Sequence, residues 1–255
     1  MRIRGSLRIT SYVVLIVTLL ALSVSVGQNP WERSGPQLHT ILEVGATMLA
    51  LIVGVFALVR YYACRNSMIF FIGVGFCGTA LLDGYHALVT STFFRELFPS
   101  PPQSLIPWSW NASRTFLALL MFLSWLAWHG EKQKPRDRVT DRTVYFLVTL
   151  LTLGTFGFFA FVPLGRVYCP GLFIGRPEEL VAAAFFLAAL VGFLYLNQWR
   201  NSLLDHWIVL SLWVGVFCQA LFMSRSYRLF DSMFDVAHLL KILSYLCVLV
   251  GLLCE

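Results

Sequence analysis

Phe234-Asp235-Val236-Ala237-His238-Leu239-Leu240-Lys241 opens the last apolar stretch of the chain and sets three ionisable side chains into a segment otherwise suited to lipid. At about 100° per residue, positions i, i+3 and i+6 keep Asp235, His238 and Lys241 on one broad helical face. The surrounding run, 233–253, is long enough to cross a hydrocarbon core of about 30 Å. Charged groups at such depth cost a few kcal/mol even on lenient scales, so they face a bundle interior and need partners from other helices. The fold that follows is a helical membrane bundle.

The rest of the chain agrees. Its 255 residues are 58% hydrophobic and 13% charged, with a mean hydropathy of +0.74. Those values lie outside the range of a soluble domain and leave no stretch for a kinase, cyclase or nucleotide-binding fold. The net charge of +6 comes from basic residues dispersed in short loops. It reads as topology, and no nucleic-acid partner is expected.

Eight spans are expected, near 9–27, 38–61, 68–90, 111–129, 143–164, 179–199, 206–224 and 233–253. Lipid offers the backbone no hydrogen bonds, so each must be helical, and the fold class is all-α and polytopic. The run after Arg2, Arg4 and Arg8 is long for a signal peptide and suits an uncleaved span. An even number of spans puts both termini on one side. Arg2, Arg4, Arg8, Arg60, Arg65, Lys132, Lys134, Arg136, Arg138, Arg142 and Arg200 lie on that side; Arg33, Arg95, Arg166, Arg176, Arg225 and Arg228 lie opposite. The excess places both termini in the cytoplasm.

In the long outer loop, 91–110, Pro99, Pro101, Pro102 and Pro107 are expected to stop helices, and Trp108 and Trp110 suit an interfacial belt. Pro177-Glu178-Glu179 reads as a helix start, with carboxylates at the positive end of the dipole. Asn111-Ala112-Ser113 has the form of a glycosylation acceptor but opens a span. The six cysteines, in no metal-binding spacing, read as small apolar residues.

Other spans supply partners for the last one. His39 and Glu43 are four apart, Asp83 and His86 three apart, and Arg114 opens the fourth span. With the topology above, all these groups fall within roughly 15 Å of the external boundary. The candidate ligand-binding set is therefore His39, Glu43, Asp83, His86, Arg114, Asp235, His238 and Lys241. Taken singly, His39 and Arg114 also suit helix-end anchors, and a buried ion-pair network would serve structure alone. His39, Glu43, His86 and His238 could hold a transition metal, or two of the histidines a haem. Lys241 and Arg114 oppose a cation and admit an anionic or hydrogen-bonding ligand instead. No catalytic signature is present, and the Gly73-Val74-Gly75 run reads as close helix packing.

Leu38-His39-Thr40-Ile41-Leu42-Glu43, Leu81-Leu82-Asp83-Gly84-Tyr85-His86, Trp110-Asn111-Ala112-Ser113-Arg114 and Asp235-Val236-Ala237-His238-Leu239-Leu240-Lys241, in that order, resemble the third type of membrane-associated sensor domain. Those are the sensory modules N-terminal to bacterial histidine kinases and to diguanylate cyclases or phosphodiesterases. The resemblance covers about residues 10–255. It implies one transmembrane sensory domain over 1–255 in the bacterial inner membrane, without catalytic activity. It further implies a ligand, metal or haem at the polar cluster, a homodimer, and a two-component or cyclic-di-GMP output domain outside these residues. The rival readings are a transporter and a haem-binding electron-transfer subunit built on the same cluster.

Overall fold

The computed structural model describes residues 2–31, 35–91, 94, 97–133, 141–169 and 171–254. Among the basic residues counted for orientation, Arg33, Arg95, Lys134, Arg136 and Arg138 lie outside the described residues, as do the side chains of Arg2, Arg4 and Lys132. The described residues contain no strand. They form eight long helices: α1 (Arg2–Gln28), α2 (Pro36–Cys64), α3 (Ser67–Thr90), α4 (Pro102–Gln133), α5 (Asp141–Phe161), α6 (Glu179–Leu196), α7 (Leu203–Phe217) and α8 (Ser232–Leu253). All but α4 are long and apolar enough to cross a membrane, α7 together with the turns that continue it to Arg225. The helix at the expected fourth span is more polar, since it carries Asn111, Ser113 and Arg114.

Helix ends shift from the expected spans by a few residues, and α1 starts seven residues early; two differences bear on the fold. The fourth helix starts at Pro102, inside what was expected to be the long outer loop, and runs through Pro107. Pro102 occupies the first helical position, where no N–H is needed, so proline here starts a helix instead of stopping one. The seventh span is not one continuous α-helix. It widens into a π-turn at Cys218–Phe222 and tightens into a 3₁₀ turn at Met223–Arg225.

The chain forms two compact units, Pro36–Val167 and Met1–Gly35 with Tyr168–Glu255. In the first, α3 is the central helix and packs against α2, α4 and α5. The inward face of α2 reads His39, Glu43, Ala46, Ala50, Val53, Gly54, Ala57, Tyr61, a stripe at helical spacing whose middle is small. Small residues allow close approach of backbones. A Cβ on Gly54 would stand 2.8 Å from the Cys77 backbone nitrogen, and one on Gly73 would stand 2.9 Å from Leu58 Cγ. The chain reverses between α2 and α3 at Arg65, which takes a left-handed φ of 51°. Asn66 then caps α3, accepting from the Met68 and Ile69 N–H groups.

On the other side of α3, Gly75 faces Leu120 and Gly78 faces Phe116 on antiparallel α4. Tyr85 ties α5 to α3, its hydroxyl donating to the Phe159 carbonyl at 3.2 Å. Its ring packs with Phe98 and Phe156.

In the second unit, α7 packs against α6 and α8, and α1 lies along α7 and α8. Ser211 and Ser244 share a hydrogen bond of 2.9 Å between α7 and α8. Gly215 receives the Phe186 ring from α6. Arg8, counted above only as a topological charge, is buried and donates to the Trp199 carbonyl and, at 2.8 Å, to the Ser202 carbonyl. Arg176 is likewise fully buried. Its guanidinium donates to Glu179 and, at 3.3 Å, to Glu178, and its N–H donates to Ser224 O at 3.0 Å. The carboxylates that open α6 thus answer a buried arginine as well as the helix dipole.

Candidate functional site

Within the Pro36–Val167 unit the antiparallel registers bring the predicted polar residues together at one end. Gly54 opposite Cys77 and Leu58 opposite Gly73 set α2 against α3. Continuing that ladder brings Glu43 near the level of His86. The α3–α4 ladder, with Gly75 opposite Leu120, continues in the same register to Asp83 beside Ser113 and His86 beside Ser109. His39, Glu43, Asp83, His86 and Arg114 are each 2% exposed or less.

One ligand atom from each of His39, Glu43 and His86 lies within 4.8 Å of the other two. His86 Nε2 stands 3.9 Å from Glu43 Oε1. The His39 and His86 rings meet edge to face, with centroids 5.3 Å apart and planes at 85°. Rings in that contact leave no slot for a macrocycle between them, so this pair cannot ligate a haem from opposite faces.

His86 Nδ1 lies 2.7 Å from Ser109 Oγ, which is also 3.0 Å from the Ile106 carbonyl. With the hydroxyl proton on that carbonyl, Ser109 accepts from Nδ1–H, and the lone pair of a neutral ring then lies on Nε2, the nitrogen facing Glu43. Ser109 was not among the residues singled out from the sequence. It sits four residues before Ser113, hence on the same face of α4, and that spacing was the available signal.

Asp83 and Arg114 are occupied with each other. Arg114 donates to both carboxylate oxygens, at 3.0 and 3.2 Å, and Ser113 also donates to Oδ1. The guanidinium lies 5.4 Å from the Trp110 ring centre, adding a cation–π contact. This buried pair is close to neutral overall. Glu43 is then the carboxylate that faces the histidines.

The α8 residues belong to the other unit, where Asp235 and His238 have partners. Asp231 caps the helix, accepting from Phe234 N–H at 2.9 Å. Asp235 accepts from the Trp31 indole at 3.1 Å, a partner that the sequence reading did not identify. His238 Nδ1 lies 2.7 Å from the Phe234 carbonyl, which can only accept, so its lone pair is also on Nε2. Asp235, His238 and Lys241 are all buried. Cys218, in the π-turn, donates to the Ala237 carbonyl at 3.2 Å. Such turns inside α-helices recur at functional sites.

Seven apolar helices of spanning length make this a multi-pass membrane protein. Comparison with curated proteins and with solved structures gives no match. A family model described as a membrane-associated sensor domain, MASE3, matches residues 33–254 and so takes in α2 to α8 with all eight candidate site residues. By that match over most of its length, the chain belongs to the MASE3 family of membrane-associated sensor domains.

Proposed function

We propose that this membrane sensor domain is the input module of a bacterial signalling protein in the inner membrane, with a ligand site at its intramembrane polar cluster. The observation that carries the reading is the convergence of His39, Glu43, Asp83, His86 and Arg114, all buried, at one end of α2, α3 and α4. Charged groups are costly in lipid, and an ion-pair network alone does not explain two histidines beside a carboxylate. Asp235, His238 and Lys241 of α8, in the other unit, are proposed as further ligand-binding residues, through which the ligand biases the packing of α8 within its own unit.

In this reading both termini lie in the cytoplasm, the ligand enters from the external side, and a homodimer passes the change in α8 to a histidine kinase or a cyclic-di-GMP enzyme. The ligand must bind one packing of α8 better than the other, since equal affinity shifts nothing. A tenfold shift requires about 1.4 kcal/mol, within reach of one charge-assisted hydrogen bond. The α2 face beyond the cluster, Ala46, Ala50, Val53, Gly54 and Ala57, offers no polar relay, which favours a sensor over a transport path.

The test is the stimulus response of the chain with its own output partner, comparing wild type with Lys241→Met. Loss of the response with normal membrane insertion is expected. An unchanged response at unchanged stability overturns the reading.

A further inference from the structure

We propose that His39, Glu43 and His86 bind one divalent first-row transition-metal ion. This names the ligand class for the polar cluster and rests on the sensory reading of that cluster. All three residues lie in the Pro36–Val167 unit, on α2 and α3.

The geometry is near that of a bound ion. Two ligand atoms each about 2.1 Å from a shared metal stand roughly 3–4.2 Å apart, depending on the angle between them. The 3.9 Å between His86 Nε2 and Glu43 Oε1 is already inside that range. The remaining separations are bounded by 4.8 Å, so small side-chain rotations close them.

The proton arrangement matches as well. A ligating imidazole characteristically donates its second nitrogen's proton to an outer partner, which fixes tautomer and ring orientation. Ser109 serves His86 in this way when its own proton lies on the Ile106 carbonyl. Nε2 then faces Glu43 Oε1 at 3.9 Å, two donor atoms that a shared cation would draw together.

Arg114 does not oppose the ion, because Asp83 neutralises it through contacts to both oxygens. Two imidazoles with one carboxylate suit zinc, copper, nickel or iron, whereas calcium and magnesium prefer all-oxygen cages.

Full-length chain in lipid nanodiscs, stripped with a chelator, is titrated with Zn²⁺ and with Co²⁺. We expect one equivalent of Zn²⁺ by elemental analysis, visible d–d bands for Co²⁺, and at least a tenfold loss of affinity in His86→Ala and Glu43→Gln. Ser109→Ala leaves all three ligands in place. A loss of 10–100-fold there, with helix content and thermal midpoint unchanged, is the signature of an outer-shell partner. Absence of stoichiometric metal on natively helical wild type, or binding that survives the ligand variants, overturns the assignment. The Lys241→Met response is scored separately. Lost response without metal leaves the sensory reading standing with another ligand, and retained response with metal bound removes that reading while keeping the site.

Discussion

His86 Nε2 and Glu43 Oε1 face each other at 3.9 Å, while the other ring nitrogen, Nδ1, lies 2.7 Å from Ser109 Oγ. The separation suits two donor atoms of one bound cation. Replacing Glu43 separates charge from shape. Glu43→Gln keeps the volume and an acceptor oxygen but removes the charge, and should lower Zn²⁺ affinity at least tenfold in a competition titration. Glu43→Asp retains the charge one methylene short of the ring and should retain part of the affinity.

Arg114 and Asp83 should behave as one structural unit. Removing either partner leaves a buried charge without its counter-ion, at a cost of about 3–5 kcal/mol. Arg114→Met or Asp83→Leu alone should therefore lower the thermal midpoint strongly. The double variant should recover much of the loss, and additive losses in the cycle would refute the coupling.

The close approach of α2 to α3 predicts an effect at a distance. A Cβ at Gly54 would stand 2.6 Å from Cys77 Sγ and 2.8 Å from the Cys77 backbone nitrogen. The backbone contact cannot yield, so Gly54→Val must push the helices apart. Gly54 lies 11 residues, or about 16 Å of helix, from Glu43. The variant should nevertheless weaken metal uptake, and Ala at Gly45, where a Cβ meets nothing, serves as the control.

Glu178, just outside the sixth span, has its pKa pushed up, chiefly by burial, with Arg176 pulling in the opposite sense. A carboxyl whose folded pKa exceeds its unfolded value binds its proton more tightly when folded. Its stabilising contribution is complete below the unfolded pKa and is lost as pH rises through the raised folded value. Thermal midpoints measured across the acidic range should fall less with rising pH in Glu178→Gln than in wild type. An identical slope in the two proteins would remove Glu178 as the source.

Much of the architecture is legible in the sequence because membrane helices are written in long apolar runs. The start of α8 was placed within one residue, since Asp231 caps it immediately before the run. The start of α4 was missed by nine residues: prolines read as helix stops, whereas Pro102 occupies a first turn and Pro107 is accommodated within the helix. The α7 π-turn has no periodic signature, because one extra residue per turn alters no hydropathy average. In the candidate site, the ionisable members were visible because charge is conspicuous in an apolar segment. Ser109 and Trp31 were not. A serine or tryptophan near a membrane surface is unremarkable until the residue receiving or giving its hydrogen bond is known.

The glycine contacts between α2 and α3 carry one last consequence. With Gly54 seated on Cys77 and Gly73 on Leu58, the two helices mesh like a rack and its pawl. Sliding one past the other by even a residue would drive backbone into side chain. This seating opposes a piston stroke within this hairpin as the means of carrying a stimulus. The donors at its end form a fixed jaw, and the information in an occupied jaw must leave through some other part of the molecule.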